Sequence, residues 1–195
     1  NSLGVMLDCS RNAVPRPEAV RKMLRMLSLM GYNCMQLYME DVFPLEGYPY
    51  FGYGRGGYTR QELKELDAYA ASLGIELVPA IQTLAHLGQA LKWETMVPMR
   101  DIADILLVDD DQTYAFLEAI FQTMRECFRT KRINIGMDEA QQLGLGKYLA
   151  QHGYVDRTQL MLRHFRRVHD LALKYDFVTM MWSDMFFRLA SGGDY

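Results

Sequence analysis

Five short runs of apolar, β-prone residues recur along the chain, at Leu3 to Cys9, Asn33 to Tyr38, Ile75 to Ile81, Arg132 to Met137 and Phe177 to Trp182, with amphipathic stretches between them. A helix placed between two strands carries the chain back to the end where the first strand began. The alternation therefore predicts parallel βαβ units, not hairpins.

The intervening stretches carry helix punctuation. Val20, Met23, Leu24, Leu27 and Met30 fall on one helical stripe, with Pro15 and Pro17 near its start and Gly31 suited to its C-terminal cap. Thr59 and Glu62 have the spacing of a capping box, ahead of Leu63, Leu66, Ala70 and Leu73 and a closing Gly74. A third stripe, Tyr114 to Phe128, follows the acidic run Asp109 to Asp111, whose charges suit a helix N-terminus. The last stripe begins near Asp156 and ends at Tyr175. These apolar stripes are core faces.

Two intervals are longer than a crossover needs. Val42 to Tyr58 is rich in Gly and aromatics, and Leu87 to Val108 holds Trp93 and two short apolar runs. Long loops on one side of a βα array shape pockets. A doubly wound sheet and a (β/α)₈ barrel both fit the alternation. Where a glycine-rich phosphate loop would follow the first strand, the chain reads Asp8-Cys9-Ser10-Arg11, which favours the barrel, with about five βα units present.

Half of the 195 residues are hydrophobic, enough to bury a core, and a net charge of -3 with mixed signs offers no basic stripe for nucleic acid. No apolar run approaches the ~20 residues that span a bilayer, and the start at Asn1 does not resemble a signal peptide. The expectation is a soluble, cytoplasmic protein. Cys9, Cys34 and Cys127 are odd in number and lack metal-site spacing, so they are read as reduced core residues.

Each strand ends in residues capable of chemistry: Asp8 and Arg11, Glu40 and Asp41, Gln82 leading to His86, Asp138 and Glu139, and Trp182 with Asp184. In a barrel all these ends converge on one face, where the active sites of that fold lie. One Asp after a strand is usually a turn former, but five coincident cases are not. Arg11 could fork onto sugar hydroxyls, and Trp182 could offer a flat wall to a sugar ring. Asp8, His86, Asp138, Glu139 and Asp184 could instead converge on a cation. A non-catalytic sugar-binding module is a third possibility.

Asp138 and Glu139 are the strongest local signal. Adjacent Cα atoms lie ~3.8 Å apart, and on an extended strand the two side chains diverge, so different jobs are expected of them. A retaining glycosidase with two separate carboxylates places them on either side of the sugar. A sequential pair better suits a substrate that supplies its own nucleophile.

Gly136-Met137-Asp138-Glu139-Ala140 resembles the Asp-Glu motif of glycoside hydrolase family 20, the β-N-acetylhexosaminidases. Asp8-Cys9-Ser10-Arg11 resembles that family's first-strand Asp-x-x-Arg, Leu37 to Asp41 its acidic second-strand end, Leu84-Ala85-His86 its third-strand His, and Met181-Trp182-Ser183-Asp184 its fifth strand. The similarity runs in order from about Leu3 to Ala190 and is closest to a bacterial branch with Gln-Thr-Leu-Ala-His and Met-Trp-Ser-Asp-Met segments.

The resemblance implies an exo-acting retaining enzyme for terminal β-linked GlcNAc or GalNAc, with no cofactor. Glu139 would be the general acid and then the base; Asp138 would polarise the substrate's 2-acetamido group, which attacks the anomeric carbon to form an oxazolinium. Arg11 would grip the C3 and C4 hydroxyls and Trp182 would wall the acetamido pocket. Asp8, Glu40 and Asp184 would join the substrate-binding set, and Asp41 the catalytic one. His86, with Asp41 or Glu40, would form a polar chain toward Glu139. Burial and the neighbouring Asp138 are expected to raise the proton affinity of Glu139. The Tyr, Trp and acidic groups that the family places on strands six to eight are not assigned here. A truncated barrel with an exposed strand edge is expected, and so is poor activity of this stretch alone.

Overall fold

The computed structural model describes residues 2–11 and 13–186; the far end of the resemblance, at Ala190, lies outside them. Five parallel strands, β1 (Gly4–Asp8), β2 (Cys34–Tyr38), β3 (Glu76–Ala80), β6 (Arg132–Asn134) and β7 (Val178–Met180), form one sheet in the order β1-β2-β3-β6-β7. Between them run α1 (Pro17–Leu29), α2 (Arg60–Ser72), α4 (Asp111–Cys127) and α6 (Arg157–Lys174). Every strand lies beside its predecessor in the main sheet, the progression of a (β/α)₈ barrel wall. All five strand ends meet on one side, because the register is even: Asp8 stands beside Tyr38, Tyr38 beside Ala80, and Ala80 beside Asn134.

The predicted caps form. Thr59 and Glu62 close a full capping box on α2, and the carboxylates of Asp110 and Asp156 accept from the first free N–H groups of α4 and α6. Cys9, Cys34 and Cys127 are buried free thiols.

The interval after β3 is more structured than the sequence pattern shows. It folds into α3 (Gly88–Leu91), a 3₁₀ turn (Glu94–Met99) and an antiparallel hairpin of β4 (Arg100–Ile102) and β5 (Ile105–Leu106). A short α5 (Lys147–His152) follows β6. Elements of two to six residues complete too little of a period to be read from patterning. Asp101 holds this region to the next loop, its carboxylate accepting from Gly144 N and Tyr148 N, each at 2.7 Å.

The centre of the sheet is buried while β1 and β7 form its edges, with Leu3 and Val178 exposed beside them. Among the described residues, no helix is long and apolar enough to cross a membrane.

A buried histidine braces the site from below. His164 of α6 is fully inaccessible, with Nε2 2.7 Å from the Thr83 carbonyl and Nδ1 3.0 Å from the Tyr114 hydroxyl. A carbonyl can only accept, so Nε2 carries the proton and Nδ1 accepts from Tyr114. Burial lowers the pKa of this ring to about 4. Thr83 in turn donates to the Ile135 carbonyl at 2.8 Å, joining the ends of β3 and β6.

Candidate active site

The chain leaves β6 through an unusual bend. Gly136 and Met137 both have φ of 70° and Glu139 has 53°, the left-handed region that side chains resist. Glycine is required at position 136: an added Cβ would stand 2.1 Å from Gln82 Oε1 and 2.9 Å from the Ile81 carbonyl. The bend overturns the expectation that Asp138 and Glu139 diverge. They are not on an extended strand, and both carboxylates turn to one ring: His86 Nε2 lies 3.2 Å from Asp138 Oδ2 and 3.5 Å from Glu139 Oε2.

His86 is itself at φ 58°, its backbone N–H held 3.1 Å from Asp104 Oδ2. Contact with Asp138 raises the imidazole's pKa above its ordinary value, against the opposing effect of burial, and the charges of Glu139 and Glu40 add to the rise. Burial alone would raise Asp138. The His86 contact and a 2.9 Å hydrogen bond from Gln82 Nε2 outweigh it and hold this carboxyl below its ordinary pKa.

Glu139 is different. Its side chain is 60% exposed, where burial was expected. The bend that brings it to His86 also lifts it to the rim. Its backbone N–H points to Asp184 Oδ2 at 3.4 Å. Trp182 stands close by, 42% exposed, its backbone N–H donating to the Gly136 carbonyl at 3.1 Å.

The two acids after β2 separate cleanly. Glu40 accepts from the Tyr38 hydroxyl at 3.0 Å, and Tyr38 accepts from Gln82 at 2.9 Å, so one chain of bonds runs Glu40, Tyr38, Gln82, Asp138. Burial raises the pKa of Glu40, with Asp41 adding to the rise. Glu40 also feels the charges of Arg11 and His86. Asp41 faces the other way. Its carboxylate, 1% exposed, pairs with Arg55 Nε at 2.9 Å, and Arg55 also donates to the Ser10 carbonyl. The structure thus gathers Glu40, not Asp41, with His86, Asp138 and Glu139.

At the end of β1, Asp8 accepts from Ser10 and pairs with Arg11 at 2.9 Å. Burial would raise the Asp8 pKa, but these partners hold it low. Arg11 is well exposed, 5.7 Å from the Tyr38 ring centre. Among the described residues no group of three or more His, Cys, Asp or Glu is placed to hold a metal ion. Tyr38 was not singled out from the sequence. The signal was its place: Tyr38 closes β2 two residues before Glu40, which accepts from its hydroxyl.

What results is a fixed ionised carboxylate, a solvent-facing one beside it, a histidine biased toward its cation, and an exposed guanidinium paired with Asp8. Such a set can stabilise developing positive charge and exchange protons with a bound ligand.

A model of the glycosyl hydrolase family 20 catalytic domain matches residues 3–191. The chain is similar to hexosaminidase D of Bos taurus, 26% identical over 184 residues that span 90% of this chain and 53% of that protein. It is also 27% identical over 167 residues to a β-hexosaminidase of Akkermansia muciniphila, spanning 70% of this chain and 34% of that one. In three dimensions it superposes on an exo β-N-acetylglucosaminidase of Vibrio harveyi, solved in complex with N-acetylglucosamine, with a TM-score of 0.81 at 19% identity, covering 94% of this chain and 35% of that chain. A β-N-acetylhexosaminidase of Bacteroides fragilis gives 0.81 at 21% identity, over 94% and 42%. The chain therefore spans about a third to a half of the length of these relatives.

Proposed function

The chain belongs to glycosyl hydrolase family 20, and from that premise we propose that its strand ends serve an exo-acting retaining β-N-acetylhexosaminidase, cleaving terminal β-linked GlcNAc or GalNAc with the substrate's own acetamido group as nucleophile. In this reading the five strands are the first five of an eight-stranded barrel, and the longer relatives support it.

Glu139 protonates the glycosidic oxygen as the bond to the anomeric carbon breaks. The acetamido carbonyl oxygen closes on that carbon from the opposite face, giving an oxazolinium and leaving positive charge on the amide nitrogen. Asp138 stabilises that charge, and an acid kept ionised by Gln82 and His86 suits the task. The deprotonated Glu139 then takes a proton from water, which opens the ring at the same carbon; two inversions retain configuration. Arg11 holds hydroxyls of the terminal sugar, Trp182 walls the acetamido group, and Glu40 modulates His86 by charge.

The observation that carries this reading is the unequal treatment of neighbours: Asp138 is clamped and ionised while Glu139, one residue on, is free to meet solvent and leaving group. A full-length protein given a chromogenic β-GlcNAc substrate should lose about 10²- to 10⁴-fold in kcat on Glu139→Gln, the usual worth of a general acid–base group. Equal rates in both proteins would remove Glu139 from the role. A thiazoline mimic of the oxazolinium should inhibit the unaltered protein. GlcNAc binding without turnover would instead identify a sugar-binding module.

A further inference from the structure

Just past β3, the Gln82 amide is wholly buried and unequally satisfied. Its nitrogen gives both N–H groups away, one to the Tyr38 hydroxyl and one to Asp138 Oδ1, each at 2.9 Å. Its oxygen has no hydrogen-bond partner among the described residues and faces the Gly136 backbone, where an added Cβ would stand 2.1 Å from it. An unpaired buried acceptor is costly, so the amide is held this way round by something that outweighs the cost.

Asp138 alone does not settle the orientation. Turning the amide over would set a carbonyl oxygen against the carboxylate, a contact that a proton on Asp138 would mend. A lone tyrosine would accept either face as well, because a hydroxyl both donates and accepts. Glu40 removes the ambiguity. The Tyr38 hydroxyl lies 3.0 Å from Glu40 Oε1, and a carboxylate only accepts, so the single phenolic proton goes there. The Tyr38 oxygen is then an acceptor and must face an N–H of Gln82.

Tyr38 is well placed to impose this. It closes β2 in register with Ala80 at the end of β3, and it is buried. Burial, with the charges of Glu40 and Asp138 behind it, pushes its pKa above the ordinary value, so the phenolic proton is retained at neutral pH. Polarity is thus passed along four side chains, each of which fixes the next.

We propose that Tyr38 is a positioning residue for Asp138: by giving its proton to Glu40 it compels the buried Gln82 amide to present an N–H, and not its carbonyl, to the carboxylate. This rests on the glycosidase reading above, in which Asp138 must be charged when the acetamido nitrogen becomes positive. The charged groups around the cluster are His86 from the loop after β3, Glu139 beside Asp138, Glu40 past the end of β2, and Arg11, which acts on Tyr38 and Glu40 from the end of β1. Replacing the tyrosine by phenylalanine leaves all of them in place and removes only the hydroxyl that constrains the amide.

The test uses the full-length protein and a chromogenic β-GlcNAc substrate, with kcat and KM followed against pH. Tyr38→Phe should lower the plateau of kcat by about threefold to tenfold, the worth of one hydrogen bond, with a smaller change in KM. The acid limb of kcat should move up by about half to one pH unit, because an amide free to turn no longer favours the charged carboxylate. In a Gln82→Leu background the same substitution should cost less than about twofold, since the hydroxyl acts through the amide. Equal losses in both backgrounds, a loss confined to KM, or an unmoved acid limb overturns the proposal. If Gln82→Leu does not fold, the acid limb of Tyr38→Phe decides alone. If the unaltered protein hydrolyses nothing, the glycosidase reading fails on its own, and a ¹³C NMR titration of the Asp138 carboxyl, identified by the signal lost in Asp138→Asn, still decides the role of Tyr38. A higher midpoint in Tyr38→Phe supports it and an equal one overturns it.

Discussion

Glu40-Asp41 and Asp138-Glu139 are both adjacent acids at the ends of strands, yet they are handled in opposite ways. After β2 the chain bends at Glu40 and Asp41 without entering the left-handed region, and the pair splits: Glu40 joins Tyr38 while Asp41 is sealed against Arg55. After β6 the left-handed bend at Gly136, Met137 and Glu139 cancels alternation and turns both acids to His86. Two carboxylates in sequence thus yield one functional group at the first site and two at the second. Backbone geometry, more than residue identity, sets how many acids a strand end delivers.

The largest effect that would break this contrast is on turnover. Asp138→Asn should cost about 10² to 10³ in kcat, the worth of a preorganised charge-stabilising group, whereas Asp41→Asn should change kcat for a chromogenic β-GlcNAc substrate far less. Comparable losses in both would show that Asp41 acts in the pocket after all. Next comes stability. Asp41→Asn leaves the Arg55 guanidinium without its buried counter-charge and should lower unfolding free energy by about 2–3 kcal/mol, less than a wholly buried pair because Arg55 is partly solvated. Asp138→Asn, at the open pocket, should cost less than that in a urea titration; the reverse order would contradict the assignment. The smallest effect concerns pH. The folded pKa of His86 is raised, so its contribution to stability is full below the unfolded value near 6.5 and is lost as pH rises through the folded one. His86→Gln should flatten that alkaline-side decline, measured as urea midpoint against pH. An unchanged profile would show that the imidazole carries no extra proton affinity from the two acids.

The alternating architecture was legible because strand and helix periods differ and each interval carried its own caps, as with Thr59 and Glu62. The convergence of strand ends followed from parallel strands alone. Hidden from the sequence were the features set by particular φ angles and by contacts distant in sequence. Nothing in Gly136-Met137-Asp138-Glu139 announces three left-handed residues, and it was the assumption of an extended strand that made the acids diverge. The burial expected at Glu139 occurs at Glu40, which the Tyr38 hydroxyl holds, while the bend raises Glu139 to the rim. Two acids offered equal claims to pair with His86 until Arg55, 14 residues beyond Asp41, took one of them.

The strut beneath the pocket makes the molecule a gauge of acidity. Because folding keeps His164 neutral, the unfolded chain gains a proton near pH 6.5 that the folded chain declines until about 4, so the stability this ring supplies drains away across that interval as acid is added. His86 responds in the opposite sense on the alkaline side. The floor, joined through Thr83 to the ends of β3 and β6, thus supplies the acid-sensitive contribution and the rim the alkali-sensitive one. Between them the two imidazoles favour a band around neutrality, bounded by side chains that never need touch a substrate in common.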